Sequence, residues 1–292
     1  MGPQQARAAE GYVLPLSAPG ATESVGGKAS GFAVLAAAGL DFPDGFVLTA
    51  EAHRHARGLG WRAGEPIPET TSAAVNEGLA FVPGEVFVVR SSAVAEDGVA
   101  ASFAGQFETI VGVSRVEVAA AVAECWGSAE NGRALAYLAA EDNEQAMAVI
   151  VQPLVEADVS GVVVTVDPLT GDEGTLLVNA SFGLGEAVVS GLVTPDEYRI
   201  ARADARVVAA TIAAKELEIV RASEGPLEER VLPVERSTAR ALDDQQLHAL
   251  WQGALAAEAA LGRPADLEFA FAGGLLHWLQ CRPLTALPTK ED

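Results

Sequence analysis

From Met147 onward the chain is written in short β-branched runs, and this most limits what it can become. Residues 147–155, 161–166 and 175–179 are such runs, separated by turn residues, and they are expected to form a sheet. Two further strands, 266–271 and 275–281, flank Gly273-Gly274, a pair that signals a hairpin. A late block of hairpin-linked strands does not suit a regular strand–helix alternation, so the expected class is α+β.

The first half supplies the helices. Ser24-Val25-Gly26-Gly27-Lys28 opens a helical pattern over 29–38 that stops at Gly39. A short strand at 12–16 and another at 46–49 are expected, with a helix around His53 and a proline- and threonine-bearing loop over 65–71. Residues 86–90 form a continuous apolar run ending in Arg90, the pattern of a buried strand. Residues 91–105 read as an ordered loop, 107–113 as a strand and 116–140 as a helix. Paired strands are expected within 202–237. A helix over 243–261 is capped near Asp243 and ended by Gly262 and Pro264.

Composition removes several function classes. Aspartate and glutamate number 40 against 19 lysines and arginines, a formal charge of −21. Phosphate backbones and anionic lipids would be repelled, so neither nucleic acid nor a membrane surface is expected as a partner. The greasy stretch 147–166 is broken by Glu156 and Asp158, too soon to span a bilayer. The N-terminus has no compact apolar segment of the secretory kind, and two cysteines, Cys125 and Cys281, do not suggest a disulfide framework. A reduced cytoplasmic protein is the expectation.

Familiar motifs fail one by one. Thr22 and Ala29 stand where a P-loop needs glycine and a hydroxyl residue, and Val188 stands where the dinucleotide fingerprint needs its third glycine. His53, His55, His248 and His277 have no metal-ligand spacing and are read as solvated-face residues. Isolated charges at strand ends and glycine turns remain. Lys28, one of three lysines, begins a helix after two glycines, where free backbone N–H groups and a cation favour an anion such as phosphate; an exposed lysine on a flexible turn is the plain alternative. Arg90 ends a buried strand before two serines and suits bidentate phosphate binding, although an ion pair with Glu96 or Asp97 is equally natural. Glu268 lies between apolar neighbours, with Gln280 and Arg282 on the facing strand at matching parity. Such a set can hold magnesium and phosphate oxygens, or simply form a structural salt bridge.

Taken in order, these residues belong to a longer series. It runs through Val25-Gly26-Gly27-Lys28-Ala29-Ser30-Gly31, Phe42-Pro43-Asp44-Gly45-Phe46, Val89-Arg90-Ser91-Ser92 and Ala101-Ser102-Phe103-Ala104-Gly105-Gln106. It continues with Met147 to Gln152, Thr165-Val166-Asp167-Pro168, Gly183-Leu184-Gly185-Glu186, Thr194-Pro195-Asp196, Asp266-Leu267-Glu268 and Gln280-Cys281-Arg282-Pro283. From about residue 10 to 286 the chain resembles the ATP-binding, ATP-grasp domain of the phosphoenolpyruvate synthase, pyruvate phosphate dikinase and rifampin phosphotransferase family.

The resemblance implies two α+β subdomains clamping ATP, here placed at 1–149 and 150–292. It implies phosphate contacts from Lys28 and Arg90, a phosphate-covering loop at Gly105 and Thr109, and adenine beside Gln152. It also implies a magnesium–triphosphate site at Glu268, Gln280 and Arg282, with Glu268 and Gln280 as metal ligands and Arg90 and Arg282 as the catalytic arginines. The implied cofactors are ATP and Mg2+. The implied reaction gives AMP and phosphate and passes the β-phosphate to a phosphohistidine carrier domain, which then serves a small-molecule acceptor, pyruvate-like or an antibiotic. No histidine here has the carrier's context, so an excised domain or a split subunit is expected. A stand-alone ATP-grasp kinase or ligase and a non-catalytic scaffold are the alternatives.

Overall fold

Strand β5 (Met147–Pro153) is buried on both faces over its first six residues, as a central strand must be. In the computed structural model, which describes residues 11–18, 20–93, 109–128, 146–222 and 227–285, β5 lies in the middle of the first sheet. That sheet has the order β1-β2-β5-β3-β4, with β1 (Val13–Pro15), β2 (Phe46–Leu48), β3 (Val86–Ala93) and β4 (Thr109–Ser114). Every pairing in it is antiparallel. The β-branched run 147–155 therefore does not share a sheet with the two runs after it, contrary to the sequence-based expectation. Apolarity shows that a strand is buried but not which strands flank it.

The chain divides into two compact units, Met1–Ala33 with Asp44–Leu154 and Val34–Pro43 with Val155–Asp292. In the first unit, alternation along β3 turns Phe87 and Val89 towards a core that also holds Phe46, Leu48, Val149, Val151, Val122 and Trp126. The helices Ala50–Gly58, Glu69–Phe81 and Val118–Ser128 supply the rest. The helix Glu69–Phe81 begins inside the segment expected to be a loop. Pro68 ends the extended approach, and Thr71, Ala74, Val75, Gly78 and Leu79 are buried. Gly78 is needed there, since a Cβ would lie 2.8 Å from the Phe46 ring. The helix expected over 116–140 is a 3-10 turn, Arg115–Glu117, followed by Val118–Ser128; its remainder lies outside the described residues.

His53 also departs from expectation. It is fully buried, stacked on Trp126 at 4.7 Å between ring centroids and edge-on to Trp61 at 5.8 Å. Its Nδ1 accepts the backbone N–H of Met147, and the Trp126 indole donates to the Met147 carbonyl. Both backbone groups of the first residue of β5 are thus held by core side chains. His55 bonds the Tyr12 hydroxyl, so neither member of the pair is a free surface residue.

The second unit is built on a six-stranded antiparallel sheet, order β13-β12-β6-β7-β8-β9. Its strands are β6 (Val159–Val164), β7 (Thr175–Phe182), β8 (Asp196–Ala201), β9 (Val207–Thr211), β12 (Ala265–Ala272) and β13 (Leu275–Pro283). A separate pair, β10 (Leu217–Val220) and β11 (Glu228–Val231), lies in the region expected to hold paired strands. The hairpin forms where Gly273 and Gly274, both at positive φ, require it. The helix Asp244–Leu261 has an Asp243/Gln246 capping box and a left-handed Gly262. It buries Leu247, Leu250, Ala254 and Ala257, and a Cβ on its Gly253 would sit 2.4 Å from the Trp278 ring. Among the described residues no helix is long and apolar enough to cross a membrane.

Candidate functional site

In the first unit the chemistry-bearing residues share the sheet face opposite the aromatic core. Arg90 pairs with Ile150 on one side and Thr109 on the other, and Val88 pairs with Gln152. Arg90 lies inside β3 and not at its end as the apolar run 86–90 suggests, because Ser91, Ser92 and Ala93 go on pairing with β5. Directly paired residues point to one face. Arg90, Thr109 and Gln152 therefore lie on the face away from Phe87 and Val89. Thr109 is exposed and Gln152 is buried. Gly105 lies outside the described residues.

Lys28 is brought to the end of β3 by a glycine kink. Gly26 has φ +76° and ψ 170°, inside the helical segment Thr22–Ala37, and a Cβ there would lie 2.3 Å from the Ser92 carbonyl oxygen. Only glycine allows that approach. The Ala29 N–H then donates to Ser92 Oγ at 3.2 Å, and Lys28 Nζ donates to the Ser91 carbonyl at 3.2 Å. A helix start and a lysine are thus stitched beside the two serines that follow Arg90.

In the second unit Glu268 stands directly opposite Gln280, and Arg282 directly opposite Asp266. A shift in register between Glu268 and Phe269 puts Phe269 opposite Trp278 on the buried face. Glu268 and Asp266 share the other face with Val162 and Val164 of β6, their partners across the strand. Arg282 donates from Nε to Asp266 Oδ2 at 2.9 Å, and a second guanidinium nitrogen lies 2.8 Å from the same oxygen. Asp266 is the residue that sequence reasoning passed over. The sequence motif contains it without assigning it a role, and the signal that points to it is its parity with Glu268. Burial raises the Asp266 pKa, the Arg282 guanidinium opposes that rise, and the Glu268 carboxylate adds to it. Burial likewise pushes the Cys281 thiol up to about 12, so it is no nucleophile.

The donor set suits a hard cation. Magnesium is held through one or two carboxylates together with substrate phosphates and water, all oxygen donors. Glu268 offers a carboxylate and Gln280 an amide oxygen at adjacent positions on one face. Among the described residues no three His, Cys, Asp or Glu side chains are grouped so as to hold a metal ion by themselves.

Residues 64–292 match the family model described as pyruvate phosphate dikinase, AMP/ATP-binding domain. The chain belongs to that family. It is 37% identical over 233 residues to the rifampicin phosphotransferase of Streptomyces sviceus, covering 77% of this chain and 26% of the relative. It is 32% identical to a probable phosphoenolpyruvate synthase of Methanocaldococcus jannaschii (90% of this chain, 25% of the relative). It is 33% identical to the prodigiosin synthesizing transferase of Serratia marcescens (89% and 31%). The chain thus spans between a quarter and a third of these relatives' lengths.

Proposed function

We propose that this chain is the Mg–ATP-binding component of a phosphotransferase that cleaves ATP to AMP and phosphate and hands the β-phosphate to a phosphohistidine carrier. The observation that carries the reading is the placement of Glu268 opposite Gln280, one register step from Arg282, on one face of the sheet. In this reading Lys28 and Arg90 bind phosphate oxygens by charge-assisted hydrogen bonds, with Arg90 and Arg282 serving the transferring group. Gly105 and Thr109 belong to the loop over the phosphates, and Gln152 contacts adenine. Glu268 and Gln280 hold Mg2+, which when bound neutralises phosphate charge. The final acceptor is a small molecule, pyruvate-like or an antibiotic, in keeping with the names of the relatives.

The experiment is thermal. Mg–ATP is expected to raise Tm, because a ligand that binds only the folded state stabilises it by mass action. Lys28→Ala and Arg90→Ala should each remove most of the shift, since each deletes a contact worth roughly 1.5–3 kcal/mol. Unchanged shifts in both variants would take the phosphate assignment away.

Glu268→Gln is expected to keep the fold while losing the magnesium-dependent part of nucleotide binding. The substitution keeps volume and removes the anionic oxygen that a hard cation prefers. Titration with ATP, with magnesium and with EDTA, checks it. Equal magnesium enhancement in parent and variant would leave Glu268 a structural residue.

A further inference from the structure

The most buried ion pair among the described residues has no part in the scheme above. The Lys215 ammonium and the Asp196 carboxylate pair with both side chains at 0% exposure. Asp196 also accepts hydrogen bonds from the Ala213 N–H at 3.0 Å, the Ala241 N–H at 2.8 Å and the Tyr198 hydroxyl at 2.9 Å. Lys215 donates further to the Ala213 carbonyl at 3.0 Å, and its own N–H donates to the Ser237 carbonyl at 3.0 Å. Three stretches far apart in sequence meet here: the start of β8, the crossover that leads into β10, and the approach to the helix Asp244–Leu261.

Apolar residues of similar volume serve stability as well as a buried ion pair does, so stability alone is a weak reason for having one. Location supplies a better reason. Two residues after Lys215, β10 begins and runs under the turn Gly183-Leu184-Gly185-Glu186. Gly183 bridges Ile219 in parallel, and the Leu184 N–H donates to the Ile219 carbonyl at 2.8 Å. The fit is close, since a Cβ on Gly183, at φ +76°, would lie 2.4 Å from that carbonyl oxygen. Just before the turn, the Phe182 ring has Lys215 Nζ 5.5 Å and the Arg236 guanidinium 4.8 Å from its centroid.

The turn also touches β6 through Ser160, near Glu268. Ser160 Oγ donates to the Gly183 carbonyl at 2.6 Å, and a Cβ on Gly185 would lie 3.7 Å from the same Oγ. Ser160 stands opposite Ala270, and Val162, two residues on, stands opposite Glu268. The turn therefore rests one same-face step, about 7 Å, from the Glu268 row.

We propose that Lys215 and Asp196 are positioning residues: the pair anchors β10, and β10 holds the Gly183–Glu186 turn against Ser160 beside Glu268, pre-setting the nucleotide site. The link to nucleotide rests on the function proposed above; the anchoring of the turn does not.

The test uses the full chain with Lys215→Met and, because that variant strands a buried carboxylate, the charge-free pair Lys215→Met/Asp196→Asn. Amide hydrogen exchange is followed without ligand, and Mg–ATP affinity is measured by titration. In the double variant the Leu184 amide should exchange at least roughly tenfold faster while the β6–β7 amides keep the parent rates. Mg–ATP affinity should fall by about tenfold or more, the usual penalty for a loosened supporting shell. Parent-like exchange at Leu184, or acceleration spread evenly over the sheet, would overturn the proposal. So would a loosened turn with unchanged affinity, or a double variant that does not fold. A parent chain that binds no Mg–ATP removes the nucleotide reading alone, and exchange at Leu184 then decides the anchoring.

Discussion

Lys215→Met is expected to lower the unfolding free energy by about 3–5 kcal/mol, the cost of leaving one partner of a fully buried pair without the other. Asp196 keeps three donors in that variant, from Ala213, Ala241 and Tyr198, but loses its counter-charge. Hydrogen bonds to dipoles do not replace a cation at a site with both side chains fully buried. Adding Asp196→Asn removes the stranded charge, so the double variant should recover part of the loss. Urea denaturation of parent, single and double variants measures this. A single-variant loss below about 1 kcal/mol would mean that the pair is weakly coupled, as exposed pairs are.

The second large effect is a dependence of stability on pH that originates at His53. Burial, reinforced by the nearby Arg57 and Arg54 charges, lowers its pKa from 6.5 to about 4. The neutral ring accepts from Met147 through Nδ1, so the proton sits on Nε2, which is buried with no hydrogen-bond partner among the described residues. The sign follows from linkage. Above pH 6.5 both folded and unfolded chains carry a neutral ring. As pH falls from about 6.5 towards 4, the unfolded chain takes up a proton that the folded chain refuses, and stability is lost across that window. The loss amounts to about 3 kcal/mol in all. His53→Gln retains an acceptor for the Met147 N–H and takes up no proton, so its stability should fall less over that range than the parent's. Parallel curves for parent and variant would show that His53 does not contribute.

How far the sequence reveals the fold depends on whether the signal is local. The Gly273-Gly274 hairpin and the Asp243-to-Gly262 helix carry turn and cap residues at fixed offsets, and both form within a residue or two of the expected bounds. The helix Glu69–Phe81 has only a weak apolar face and starts in a proline-bearing stretch, so local reading gives a loop. His53 looks like a surface residue until Trp61 and Trp126, from two other parts of the chain, close over it. Membership of one sheet is no more legible: residues 147–153 and 159–164 carry the same β-branched pattern and belong to different sheets.

The candidate site divides in the same way. Parity along the last two strands already puts Glu268, Gln280 and Arg282 on one side, and it includes Asp266 once both strands are counted. Register is what assigns Asp266 to Arg282, and a register shift between neighbouring residues is invisible in composition. Lys28 beside Ser91, and Lys215 with Asp196, join segments 63 and 19 residues apart through backbone paths that no spacing rule describes.

In the function proposed above, this chain feeds a phosphohistidine carrier by an AMP-forming cleavage of ATP. The most direct measurement follows ATP labelled at the β-phosphate, with magnesium, in the presence and absence of an added phosphohistidine domain from one of the relatives. AMP and acid-labile label on the carrier are expected when the domain is present, and slow hydrolysis at most when it is absent. Formation of ADP as the product, or acid-labile label on this chain that disappears on replacing His53, His55, His248 or His277, would contradict the proposed function.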